Sequence, residues 1–174
     1  KEVEFPGAKY ALECNGTPAD CVKLGLDLLK RQGIYMDAVY AGINLGANLG
    51  TDNMYSGTVS AAAEGMLEGL PAVAVSVCSH EATYFEGACK LAVNILPMAL
   101  ESKGKMGVIS INTPDIPIKN IKGVKPARLG TVEYDQWFEE VSREGGTVTY
   151  KYTGEPLEKG NHEEDLDVKL IRDG

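Results

Sequence analysis

The sequence predicts an α/β protein built on a mostly parallel sheet flanked by helices. Helix-like and strand-like segments alternate between residues 17 and 112 with short connections, the pattern of parallel strands joined by right-handed crossovers. The run AVAVSV, residues 72–77, is apolar almost throughout, as a strand buried on both faces must be.

The elements follow in order. Residues 17–30, TPADCVKLGLDLLK, read as a helix with Thr17 as N-cap, Pro18 at its first position and Asp20 closing a capping box. Its expected core face is Cys21, Val22, Gly25, Leu28 and Leu29. Residues 37–41, DAVYA, are short, apolar and β-prone. Residues 58–70 are alanine-rich and helical, with a stop near Gly69 and Pro71 just beyond. After the 72–77 strand, Phe85, Ala88, Cys89, Ala92, Ile95, Leu96 and Ala99 recur three and four apart, predicting one helix over 83–100 that Pro97 kinks or shortens. Residues 107–112, GVISIN, form the next buried strand.

From Asp115 the character changes. PDIPIKNIKGVKPARLG carries three prolines and suits edge or irregular strands. Alternating residues then flank a Gly145–Gly146 turn and end in TVTYKY, a hairpin. Trp137 and Phe138 on this arm point to a subunit contact, with packing on its own domain as the alternative. The tail, with Gly174 as its stop, reads as a short helix, and the EED run at 163–165 as its solvated start. The expected division is a core over 1–130, a hairpin arm over 131–160 and a returning helix over 161–174.

Composition narrows the function. The net charge is −8 with no basic cluster, which argues against a nucleic-acid duplex as partner. Small phosphorylated ligands stay open, because backbone N–H groups and a metal can hold them. No apolar run approaches the ~20 residues a membrane helix needs. Cys14, Cys21, Cys78 and Cys89 lie in apolar periodic segments without C-x-x-C spacing. They read as reduced, mostly buried thiols of a cytoplasmic protein. His80 and His162 have no carboxylate or cysteine at metal-ligand spacing. His80 follows the 72–77 strand and can reach the crevice at its end, though its ordinary reading is a loop histidine.

The stretch AGINLGANLGTDNMYSGT, Ala41–Thr58, holds four glycines, three asparagines and one charged residue, Asp52. It runs from the carboxyl end of a strand to the start of a helix, the place where open α/β sheets bind ligands. A helix N-terminus is an anion site, and Ser56, Gly57 and Thr58 supply two hydroxyls and an approachable backbone. Asn44 and Asn48 offer amides, whose oxygens suit a hard cation and whose nitrogens suit phosphate. The stretch thus has the donors for half of a metal and phosphate site. The plainer alternative is a Gly/Asn loop that turns the chain.

GTPADCVKLGL, AGINLGANLGTDNMYSGTVSAAAEG and GLPAVAVSV resemble, in order and spacing, the SurE family of survival proteins, which are metal-dependent nucleotide phosphatases; INTPDIP and KGVKPARLG also fit. The resemblance implies a Rossmann-like domain with its active site at the carboxyl ends of the strands, and an extended hairpin that makes a homodimer or homotetramer. It implies hydrolysis of nucleoside 5′- and 3′-monophosphates, and often of polyphosphate, with Mg²⁺ or Mn²⁺. By the same resemblance Asn44 is a metal ligand, Asn48 lies at the phosphate pocket, and Ser56, Gly57 and Thr58 hold the phosphate. The family's other ligands are two adjacent aspartates and a serine, from segments ahead of the part matched here, and no Asp-Asp pair occurs in the 174 residues. The chain by itself is therefore expected to bind divalent metal poorly and to be inactive. The rival is a non-catalytic phosphate- or nucleotide-binding module. A protein–protein module using the hairpin leaves the Gly/Asn stretch unexplained.

Overall fold

The computed structural model describes every residue except Met106, Gln136, Trp137, Glu155, 158–162 and Gly174. The expectations for Trp137, His162 and Gly174 fall outside the described residues. The chain forms two compact units, one of residues 1–48 and 53–124, the other of residues 49–52 and 125–174.

The first unit carries a three-stranded parallel sheet in the order β1 (Val39–Leu45), β2 (Ala72–Val77), β3 (Ile109–Thr113). Helices α1 (Pro18–Arg31) and α2 (Gly57–Leu67) precede and follow β1, and α3 (Glu86–Asn94) and α4 (Leu96–Leu100) connect β2 to β3. Ahead of them, Glu2 and Leu12 pair in an antiparallel bridge.

Two layers pack on the sheet, and β2 decides which side chains meet which layer. Ala72 and Ala74 share a cluster with Ala41, Ala61 and Ala62, which joins the sheet to α2. Val73, Val75 and Val77 pack with Ala88, Ala99 and Ile111 on the side of α3 and α4. All six residues of β2 are buried, as its apolar run predicts. The α2 side is lined by alanines, so the helix backbone approaches the strands closely.

Helix α1 starts as its sequence predicts. The Thr17 Oγ1 accepts from the Asp20 N–H at 3.2 Å, and the Asp20 carboxylate accepts from the Thr17 N–H at 2.9 Å. Its residues reach only half-burial, and Cys21 is exposed rather than part of the core face. Helix α2 ends in a Schellman arrangement, with Leu70 N–H donating to Gly65 O, Gly69 N–H to Met66 O, and Gly69 at φ +77°.

Several expectations need correction. The first strand does not stop at 41 but continues to Leu45, because pairing with β2 outweighs the poor strand propensity of Gly42 and Asn44. Its register shifts between Ala41 and Asn44, so that Gly42 and Ile43 together stand opposite Val75. The single helix over 83–100 is two, parted at Ile95, with Pro97 in the first turn of the second. Phe85, Ala88, Ala92, Ile95 and Ala99 face the core as expected, joined by Leu91, whereas Cys89 and Leu96 are exposed. The cysteines are accordingly not mostly buried: Cys14 and Cys78 are half-buried and Cys21 and Cys89 exposed. Burial pushes the Cys78 thiol up to about 11. The proline-rich stretch after Asp115 forms a short 3-10 turn, Ile118–Asn120, and a single bridge from Arg128 to Leu166 instead of edge strands.

In the second unit β4 (Glu133–Tyr134) pairs with β7 (Pro156–Leu157), and β5 (Phe138–Glu144) with β6 (Thr147–Tyr152), all antiparallel. Gly145 and Gly146, at φ +56° and +82°, make the turn. Phe138, Tyr150 and Tyr152 are exposed on this hairpin. Helix α5 (Asp167–Asp173) starts later than the EED run. Glu163 and Asp165 are solvated, as expected, but lie ahead of the helix, where both carboxylates pair with the exposed guanidinium of Arg128. The Asp167 carboxylate accepts from the N–H groups of Gly50, Gly130 and Val168 at 2.7–2.8 Å. Among the described residues no helix is long and apolar enough to cross a membrane.

Close packing of α2 gives a test of opposite signs. A Cβ on Gly65 would lie 2.6 Å from Val39 Cβ, whereas one on Gly25 in α1 meets nothing within 4 Å. Helix propensity favours alanine over glycine by about 1 kcal/mol at either site, but overpacking costs about 1–3 kcal/mol. Gly25→Ala is expected to raise the urea midpoint and Gly65→Ala to lower it, with unchanged slopes.

Candidate phosphate site at the end of strand β1

The Gly/Asn stretch begins inside β1 and ends as the cap of α2. Asn44 lies opposite Ser76 in the sheet. Its amide nitrogen donates to the carbonyls of Leu45, at 3.2 Å, and Gly46, at 2.9 Å. That fixes the orientation of the amide, and its oxygen accepts from the Thr58 hydroxyl at 3.1 Å. Asn44 and Thr58, 14 positions apart, thereby join the strand end to the helix start.

Ser56 caps α2: its Oγ accepts from the Val59 N–H at 3.1 Å, and its carbonyl accepts from Ser60 N–H. The N–H groups of Gly57 and Thr58 come first in the helix, where no intrahelical acceptor exists. With the helix dipole they favour an anion. Gly57 has a second reason to be bare, since a Cβ there would lie 3.1 Å from Pro18 Cγ of α1.

Asn48 is 6% exposed and tied to the sheet rather than turned to solvent. Its amide nitrogen donates to Ser76 Oγ at 2.7 Å, its backbone N–H donates to Asn112 Oδ1 at 2.9 Å, and Asn112 Nδ2 returns a bond to its carbonyl at 2.9 Å. Ser76 and Asn112, on β2 and β3, were not singled out by the sequence reading. The available signal was a polar residue near the end of an otherwise apolar strand, in AVAVSV and again in ISIN.

Gly42 and Gly46 have positive φ, +125° and +104°. A Cβ at Gly42 would collide with the Val75 carbonyl oxygen, and one at Gly46 would lie 2.6 Å from His80 Cε1. Gly46 N–H donates to both Val77 O and Ser79 O, which stitches the two strand exits together. His80 therefore stands beside the stretch. Asp115 braces the same loop by accepting from Thr83 N–H at 2.9 Å and Tyr84 N–H at 2.8 Å. These bonds hold its carboxyl below the usual carboxylate range.

A hard divalent cation needs about six oxygen ligands. Among the described residues no group of three or more His, Cys, Asp or Glu is placed to hold a metal ion. Asn44 is one neutral oxygen donor, so the described residues do not make a metal site by themselves.

Two outcomes are expected here. Asn112→Ala strips partners from the Asn48 backbone N–H and carbonyl and should cost about 2 kcal/mol in chemical denaturation. The contribution of Asp115 is full above the ordinary carboxylate value near 4 and fades as pH falls through its lowered folded value. The Thr83 and Tyr84 amides should lose hydrogen-exchange protection on that acid side, and keep it in Asp115→Asn, whose amide oxygen still accepts.

Comparison with known proteins follows the same residues. A family profile described as "Survival protein SurE" matches residues 1–136. A protein named 5'-nucleotidase SurE from Petrotoga mobilis is 39% identical over 175 residues, covering 100% of this chain and 69% of the relative. One of the same name from Synechococcus sp. (strain JA-3-3Ab) is 41% identical, covering 98% of this chain and 65% of the relative. The crystal structure of the SurE protein from Aquifex aeolicus superposes with a TM-score of 0.72 at 34% identity, covering 92% of this chain and 64% of that one. The chain thus spans about two thirds of the length of the proteins it matches.

Proposed function

The chain belongs to the SurE family of survival proteins, and from that premise we propose that it forms the phosphate-holding part of a nucleoside monophosphate phosphatase. The observation that carries the reading is the Asn44–Thr58 hydrogen bond, which brings an oriented amide to the N-terminus of α2. The names of the relatives, 5'-nucleotidase, support a phosphoric monoester as substrate.

In this reading the N–H groups of Gly57 and Thr58 bind the phosphoryl oxygens, and the Thr58 hydroxyl joins them when its proton turns from Asn44 to the ligand. They are aligned before substrate arrives, so charge developing on those oxygens meets dipoles that need no reorganisation. The Ser56 hydroxyl oxygen is engaged as the helix cap, leaving its proton as a donor. Asn48 keeps the loop seated through Ser76 and Asn112, with its second amide N–H as a donor to the phosphate. Nucleoside 3'-monophosphates belong to the same proposal.

A divalent metal, Mg²⁺ or Mn²⁺, is also part of it, and when bound it supplies positive charge to the phosphoryl group. Asn44 contributes one ligand, with the others from residues outside these 174. The exposed hairpin of β5 and β6 is proposed as a contact between copies, in a dimer or tetramer. The binding-only alternative is disfavoured by the relatives, whose names are those of an enzyme.

Phosphate release from AMP tests the reading. The chain extended to the length of its relatives is expected to release phosphate with Mn²⁺ and to lose that activity in excess EDTA. The 174 residues alone are expected to release none, and micromolar affinity of this chain for Mg²⁺ would contradict the ligand assignment.

A further inference from the structure

We propose that His80 is a phosphate-binding residue of this site, its imidazole donating an N–H to the bound phosphoryl group. The proposal rests on the phosphate-site reading above and extends it to a residue on a different strand exit. Its basis is a run of contacts at the carboxyl end of the sheet. The imidazole of His80 lies against Gly46, in the space a side chain would fill, and only glycine leaves room for it there. The Gly46 carbonyl accepts from the Asn44 amide, and the Asn44 oxygen accepts from Thr58 at the helix N-terminus. Gly46 N–H holds Val77 O and Ser79 O, so the loop bearing His80 is fixed to the loop bearing Asn44.

A histidine that merely filled a gap would be buried, and His80 is exposed. The chain carries a net charge of −8, so an anionic ligand meets an unfavourable general field. A local N–H donor on the rim offsets that field where the ligand sits. The acidic groups belonging to the same loop region are Glu81 and Asp115. Asp115 is turned to the Thr83 and Tyr84 amides.

Binding of AMP and of inorganic phosphate to the 174-residue chain tests this without reference to turnover. The chain has two histidines, so the His80 ring signal is assigned by comparison with a His162→Gln variant. AMP and inorganic phosphate are both expected to shift the His80 Cε1–H resonance at fixed pH and to leave that of His162 in place. His80→Ala is expected to weaken binding about tenfold, and His80→Gln, which keeps an N–H donor, to restore most of it. Circular dichroism shows whether His80→Ala remains folded, and the wild-type resonance needs no variant. Binding without movement of the His80 signal, or equal affinities in all three proteins, overturns the role of His80 and leaves the phosphate site standing. Absence of any phosphate or AMP binding by the wild-type chain overturns both.

Discussion

The close contact of α2 with the sheet is the constraint on which the rest depends. Ala61, Ala62 and Gly65 on the helix face Ala41, Ala72, Ala74 and Val39 on the strands, and none of the alanines carries more than a methyl group. Larger side chains would lift the helix away, and its N-terminus would no longer meet the end of β1. The Thr58 hydroxyl bonds the Asn44 oxygen at 3.1 Å, a distance that tolerates little displacement. Packing in the middle of the helix thus sets the chemistry at its end. The α3 side is filled by valines and Ile111 together with Ala88 and Ala99.

The polar groups at the strand ends show how a site can be held without loops of high intrinsic order. Asn48, Ser76 and Asn112 link the turn after β1 to β2 and, beyond it, to β3, and each bond joins residues far apart in sequence. Such bonds are stronger where water is excluded and costly when one partner is removed. They keep a glycine-rich segment in one conformation despite its entropy.

What the sequence revealed, and what it hid, follows the range of the interactions involved. The start of α1 was legible because its capping box uses residues three apart, and β2 because its burial is written in six consecutive residues. The Gly145–Gly146 turn was legible for the same local reason. Asn44 and Thr58 could be nominated from type and spacing, but their mutual bond could not. The extension of β1 through Gly42 and Asn44 was hidden, since only the partner strand makes those residues extended. The exposure of Cys89 was missed because one step along a helix turns about a hundred degrees away from buried Ala88, and that of Cys21 because no residue of α1 is fully buried. Ser76 and Asn112 were silent for a further reason: their roles belong to partners on other elements.

The register shift in β1 has an odd–even consequence. Without it, alternation would place Ile43 on the α2 side, in line with Val39 and Ala41, and Asn44 among the valines. Because Gly42 and Ile43 together face Val75, alternation is reset. Ile43 joins the apolar cluster of β2 and α3, while Asn44 comes level with Ser76 and meets Thr58. One inserted residue therefore sorts an apolar and a polar side chain into their proper compartments at once. The segment between Ala41 and Asn44 is for that reason a counting device: its length, made possible by a glycine at 42, decides whether the sheet presents an amide or a hydrocarbon to the helix.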